Sequence, residues 1–305
     1  MTTYSQLPGR RLSPHAVGVG LRSPHYQAAL DMETLTTSLL PDFVEVHAEN
    51  FFAKGGLSAS ILGDVRKKYA LNIHGTALGL GSYAGLSVKY LAHIKHLNEH
   101  YDPSLFSDHA AFSIANISGQ EIHSGDLLPV ELTEKSIATF EANINQVQDR
   151  LGRIILLENI CTYVPASLFS TQSNDYSEPE FLAEICKRTG CGLLIDLNNL
   201  VVNAVNEQEK RIVHYTYNWL SQIPPQYVGE YHLAGCAFVK PGEIMVDDHS
   251  EEISQPVWDA YEQALTLIGP RPTLLEWDTQ IPSWEKLLLE ASKIREFAQQ
   301  ALHHE

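Results

Sequence analysis

Eight short apolar runs, with a helical pattern in almost every gap between them, constrain the fold of this chain more than any other feature. They read AVGVGL (16–21), FVEVH (43–47), ALNIH (70–74), LFSDH (105–109), RIILLE (153–158), GLLID (192–196), VGEYHL (228–233) and TLLEWD (273–278). Each has the length of a strand. Between them lie amphipathic stretches such as LSVKYLAHIKHLNEHY (86–101) and TEKSIATFEANINQVQDRL (133–151). The second opens on Thr133 as an N-cap and closes with Gly152 just past its end. EPEFLAEICKRTG (178–190) repeats that grammar with Pro179 in the first turn and Gly190 as terminator, and PSWEKLLLEASKIREFAQQAL (282–302) is the closing helix.

Strands alternating with helices imply a parallel sheet, and eight such units in 305 residues predict a single α/β domain, a (β/α)8 barrel. The rival is a doubly wound open sheet. GLGSY (79–83), however, is no GxGxxG fingerprint behind a first strand, so the barrel is preferred. With no internal repeat and no linker, residues 1–305 read as one domain with an N-terminal arm to about residue 14.

Composition excludes several classes of function. No apolar run approaches the roughly 18 residues of a membrane span. MTTYSQLPGRRLSPHAVG has no apolar core behind its arginines and is not a signal peptide, so a cytoplasmic protein is expected. The formal net charge of −16 disfavours nucleic-acid partners. Cys161, Cys186, Cys191 and Cys236 form no CxxC pair and read as reduced thiols. Fourteen histidines is a high count for this length, although His303 and His304 sit at the chain end and carry no signal.

In a barrel of this kind the chemistry gathers at the C-terminal ends of the strands. The second run ends in His47 and Glu49, the third in His74, the fourth in Asp108 and His109, and the fifth in Glu158 and Asn159. The sixth ends in Asp196 with Asn198 and Asn199 behind it, the seventh carries Glu230 and His232, and the eighth carries Glu276 and Asp278. The loop after the seventh adds Asp247 and His249. Singly, each has an ordinary explanation as a loop anchor, a turn residue or an interior hydrogen bond. Together they place His, Asp or Glu at one end of seven strands out of eight. Such groups converging in a low-dielectric mouth repel or desolvate one another unless cations sit among them. Imidazole and carboxylate without obligatory thiolate suit zinc, manganese or iron, and the donors are too many for one ion. Two or three metals bridged by a carboxylate is the inference.

The ordered set GVGLRSPHY, EVHAENFF, IHGTALGLGS, SDHAAFS, LLENI, DLNNLVVNA, YHLAGC, DDH and LLEWDTQIP resembles the family catalogued as domain of unknown function 692. These are the multinuclear non-heme iron-dependent oxidative enzymes, which include methanobactin-biosynthesis oxidases. The resemblance runs from about residue 16 to 282. It implies a TIM barrel related to xylose isomerase, two or three irons of mixed valence, and dioxygen-dependent modification of cysteines in a ribosomally made precursor peptide. It also implies a helper protein that captures the peptide leader. Carried over by motif, one iron takes His74, His109, Glu158 and Glu276. A second shares Glu158 and Glu276 and adds Asp196 and His232, and a third uses Asn198, Asp247 and His249. Many relatives have a histidine where this chain has Cys236, which leaves that residue as an iron ligand, a redox-sensitive thiol or a small packed side chain. His47 and Glu49 read as groups that orient the ligands or face substrate, with Asn159 and Asp278 beside them. Arg22 and His25 read as contacts for a peptide carboxylate or an acid of the cluster, or as an ordinary ion pair at the barrel rim. A divalent-metal isomerase or hydrolase on the same barrel, and a non-catalytic metal-binding protein, are the competing readings.

Overall fold

The computed structural model describes residues 11–31, 39–163, 175–237, 239–240 and 242–303. Most of the expected N-terminal arm, and His304, lie outside them. Ten strands are present among the described residues: β1 (Val17–Gly20), β2 (Phe43–His47), β3 (Ala70–His74), β4 (Phe106–His109), β5 (Phe112–Ile117), β6 (Gln120–Leu128), β7 (Leu156–Glu158), β8 (Gly192–Asp196), β9 (Val228–Leu233) and β10 (Thr273–Leu275). Eight of them close into a parallel barrel, β1-β2-β3-β4-β7-β8-β9-β10, with β10 pairing back onto β1. The expected barrel is therefore the observed one. Its strands are the eight apolar runs, trimmed in four cases; RIILLE contributes only Leu156–Glu158.

The outer layer is built from α1 (Tyr26–Leu30), α2 (Leu57–Lys68), α3 (Val88–Tyr101), α4 (Glu134–Leu151), α5 (Glu178–Thr189), α6 (Leu197–Asn206), α7 (Ile212–Leu220), α8 (Gln255–Leu267) and α9 (Trp284–His303). α4 shows why these segments are helical. Ile137, Phe140, Ile144, Val147 and Leu151 recur every three or four residues and are all buried against the barrel. Thr133 accepts the Ser136 amide at the start of α4, and Gly152 ends it in the left-handed region at φ 68°. α5 opens on a capping box, in which Glu180 accepts from the Ser177 amide at 2.9 Å.

An antiparallel hairpin, β5–β6, is inserted between β4 and α4, outside the strand–helix alternation of the sequence. Its turn is Ser118-Gly119, with φ of 54° and 82°, the mirror-image turn that matches the twist of a two-residue hairpin. Close approach fixes one glycine at the mouth: a Cβ on Gly75 would lie 2.4 Å from the Asp108 carboxylate.

Candidate metal centre

Register assembles the site. His47 pairs with His74 across β2–β3, His109 with Glu158 across β4–β7, and Asp196 with His232 across β8–β9. Side chains of register partners leave the same face of a parallel sheet, so each pair points inward together. Glu276 follows β10 directly. Asp247 and His249 come from the β9–α8 loop, where His249 holds φ at 43°, and its carbonyl accepts the Asp278 amide at 2.9 Å. A non-glycine residue rarely adopts that conformation, and here the tie to Asp278 fixes it.

The donors face one another at short range. His74 Nε2 and His109 Nε2 lie 3.4 and 3.5 Å from Glu158 Oε2. His232 Nδ1 lies 3.0 Å from Glu276 Oε2 and 3.9 Å from Glu158 Oε1. His249 approaches Asp247 Oδ1 at 2.6 Å, Asp196 Oδ2 at 3.8 Å and Glu276 Oε2 at 3.5 Å. Asp196 serves two neighbours: Oδ1 caps α6 by accepting the Asn199 amide at 2.8 Å, while Oδ2 is buried with no hydrogen-bond partner. Glu158 Oε2 is likewise buried and unpartnered.

Burial drives the electrostatics in opposite directions for the two residue types. It pushes the Glu158 carboxyl well above the usual range and Asp196 to about 7, and it pulls His109 down to about 4 and His74 well down. For His232 burial works against charge, but Glu45 and Glu276 outweigh it and hold the imidazole up. Glu276 is held low despite burial because His232 and His249 face it.

The remaining expected residues fall into distinct places. Arg22 donates from Nε to Asp278 Oδ1 at 2.9 Å and from Nη2 to Glu276 Oε1 at 3.2 Å, and Nη2 also lies 3.0 Å from His47 Nε2. It is the buried cation behind the cluster's acids. His25 is turned away from the cluster, with Nε2 3.0 Å from the Pro282 carbonyl and its ring against Trp284. Glu49 is committed to the loop after β3, accepting from the Thr76 amide at 2.8 Å and from the Tyr90 hydroxyl. Asn159 braces β7 against β8, accepting the Asp196 amide at 2.9 Å. Asn198 directs its amide nitrogen to Asp247 Oδ1 at 2.7 Å and to Cys236 Sγ at 3.1 Å, so Cys236 borders the loop side of the cluster. Ser107 and Glu45 lie outside the expected residues, and Glu230 was expected only as an interior hydrogen bond. Ser107 Oγ lies 2.8 Å from His74 Nδ1, and Asn72 donates to Glu230 Oε1 at 2.7 Å one layer deeper. The signal for both acids was their position two residues before His47 and His232, on the same inward face.

The cluster opens into a cavity of about 240 Å³ bordered by Thr76, Leu127, Cys161 and Tyr163. A larger cavity of about 860 Å³ lies at the opposite end of the barrel, beside Ala16, Asp42 and Ala70, and holds no such constellation. The family model of the RiPP precursor modification enzymes MbnB/TglH/ChrH matches residues 16–299. The chain belongs to this family. Relatives of the MbnB/TglH/ChrH family include a UPF0276 protein of Chromobacterium violaceum, 39% identical over 92% of this chain and 94% of the relative. Another, from Vibrio parahaemolyticus, is 40% identical over 91% of this chain and 90% of its own length. Among solved structures, a xylose isomerase domain protein from Alicyclobacillus acidocaldarius superposes with a TM-score of 0.58 at 14% identity, covering 94% of this chain and all of that one. Endonuclease IV from Thermus thermophilus gives 0.56 at 12% identity, over 93% and 99% of the two chains. These likenesses place the family's fold here among xylose-isomerase-like TIM barrels.

The donor set of this MbnB/TglH/ChrH family member fits bound metal. Three overlapping groups, His74–His109–Glu158, Glu158–Asp196–His232 and Asp196–His249–Glu276, each bring their ligand atoms within 4.8 Å of one another. Within these three groups Glu158 and Asp196 are each shared by two, and each carries a buried oxygen without a hydrogen-bond partner, an arrangement in which a carboxylate could bridge two ions. Among the described residues no helix is long and apolar enough to cross a membrane.

Proposed function

We propose that this chain is an iron-dependent, dioxygen-using oxidative enzyme that modifies cysteine residues of a ribosomally made precursor peptide. The observation that carries the reading is the chain of three donor groups linked by Glu158 and Asp196, in a member of a peptide-modifying family. The first ion is allotted to His74, His109 and Glu158, the second to Glu158, Asp196 and His232. The third is allotted to His249 with Asp196 and Glu276, and Asp247 and Asn198 support it from the loop. Iron held there supplies the one-electron and dioxygen chemistry that protein side chains lack.

The chain's own residues do the rest. Ser107 and Asp247 hold imidazoles in place, and Arg22 offsets the charge of Glu276 and Asp278, so a substrate thiolate does not meet an uncompensated wall of acids. The cavity, at about 240 Å³, is smaller than the roughly 300–1,000 Å³ that encloses a drug-sized ligand. It suits one side chain delivered by an extended peptide. A leader-binding helper protein presents that peptide, nucleic acid plays no part, and the setting is cytoplasmic.

The decisive experiment purifies the protein without air, measures its metals, and then records precursor mass under air with the helper present. Iron in the protein and a mass change confined to precursors that retain cysteine are expected. A stoichiometric zinc protein that gains no activity from ferrous iron, or a mass change that survives replacement of every precursor cysteine by serine, overturns the reading.

A further inference from the structure

His232 presents one ring nitrogen to the centre and the other to a carboxylate beneath it. Its Nδ1 looks into the centre, 3.0 Å from Glu276 Oε2 and 3.9 Å from Glu158 Oε1. Its Nε2 looks the other way, into the interior beneath the centre, and lies 3.4 Å from Glu45 Oε1. Glu45 and His232 are both fully buried, so water does not serve either of them. Among the described residues, neither Glu45 oxygen nor His232 Nε2 has any hydrogen-bond partner, so each is the other's nearest candidate at 3.4 Å. Glu230, the other acid of this layer, is already engaged by the Asn72 amide at 2.7 Å.

We propose that Glu45 is a positioning residue, which takes the Nε2–H of His232 and thereby turns the Nδ1 lone pair toward the metal centre. The inference rests on His232 being a metal ligand, as proposed above. Its chemistry is simple. A neutral imidazole has one N–H, and a nitrogen that carries it has no lone pair to offer a metal. With Nε2–H facing Glu45, Nδ1 can exchange its contact with Glu276 Oε2, 3.0 Å away, for a metal. His74 solves the same problem from the other nitrogen: its Nδ1 lies 2.8 Å from Ser107 Oγ and its Nε2 faces Glu158. A buried carboxylate is a stronger acceptor than a hydroxyl and also raises the basicity of the ligating nitrogen, so His232 is held more firmly than His74. The arrangement follows from strand geometry, because Glu45 stands two residues before His47 on β2 and so reaches the layer just under the ligands.

The test uses two variants, Glu45→Gln, which keeps shape and a weaker acceptor, and Glu45→Leu, which keeps neither charge nor acceptor. Both are first compared with wild type by thermal unfolding, and Glu45→Gln carries the test alone if Glu45→Leu does not fold. Histidine nitrogen resonances of the zinc-loaded proteins are recorded by NMR, with His232→Gln assigning the His232 signals. Wild type is expected to show His232 with its proton on Nε2 and Nδ1 bound to zinc, and Glu45→Leu to lose that single pattern. Metal affinity is then measured by competition with a chelator, using ferrous iron and separately zinc. A loss of roughly tenfold or more is expected for Glu45→Leu and a smaller loss for Glu45→Gln, in line with other partners of metal-bound histidines. An unchanged tautomer and unchanged affinity in Glu45→Leu overturn the proposal. So does a Glu45→Gln protein that loses one more ion than His232→Gln, since Glu45 would then be a ligand itself. Because tautomer and zinc affinity are read without turnover, a failure here is distinguishable from a failure of the iron and cysteine assignment.

Discussion

Glu158 stands between His74 and His109 on one side and Asp196 and His232 on the other. Its replacement by alanine is therefore expected to cost more than one ion per chain by metal analysis, whereas His249→Ala should cost one ion and leave the others. If His249→Ala empties the whole centre, the loop belongs to the essential pair and the allotment above is wrong. His74→Ala, by contrast, removes a ligand from the first group and should disrupt the pair that Glu158 links. Glu158 and His74 were legible because each ends an apolar run, where a buried charged group has no apolar reason to be. Glu45 and Glu230 were harder to read. Alternation places them on the inward face, but it does not tell how many inward layers are filled with hydrocarbon before the polar ones begin. Only the register, with Glu45 beside Asn72, shows that the polar interior extends one layer below the ligands.

Between elements, α5 and α7 are joined by the Trp219 indole donating to Glu178 at 2.8 Å. Burial pushes the Glu178 carboxyl up to about 7, from an ordinary value near 4.5. A folded-state value above the unfolded one means that the protonated acid stabilises the fold fully below about pH 4.5 and that this contribution is lost as pH rises through 7. Glu178→Gln keeps an acceptor for Trp219 and removes the titration. Its stability relative to wild type is expected to rise between pH 5 and 8, by on the order of 1–3 kcal/mol after allowing for partial exposure. Denaturant unfolding at the two pH values checks this, and a constant difference refutes it. The helix caps at Thr133, Gly152 and Gly190 were legible because capping chemistry is local. The β5–β6 hairpin interrupts the strand–helix alternation, so the alternation does not announce it, although Ser118-Gly119 is a fair turn signal. Nor does the alternation announce the lengths of β7 and β10: Arg153 leaves the strand path to donate to the Pro103 and Ser104 carbonyls, each at 2.8 Å.

At the scale of the molecule, the barrel holds Glu158, Asp196, Glu276 and Asp247 at one end of a chain whose formal net charge is −16. Folding forces these acids together, and the unfolded chain does not, so a metal bound among them is a ligand of the folded state alone. At a hundredfold excess over its dissociation constant, one such ion adds about 2.7 kcal/mol. Stripping the protein with a chelator is expected to lower its unfolding temperature by several degrees, and ferrous iron should restore it in wild type but much less in Glu158→Ala. Equal shifts in both proteins would show that the metal binds elsewhere. Asp196 extends the same linkage to the outer layer, since one of its oxygens caps α6 while the other is buried in the cluster without a hydrogen-bond partner. On the proposed iron assignment, the protein's lifetime in a growing cell becomes a readout of nutrition. Copies made when iron is scarce would open more often and be removed sooner by proteases, so the amount of enzyme would fall with its metal, without any dedicated regulator.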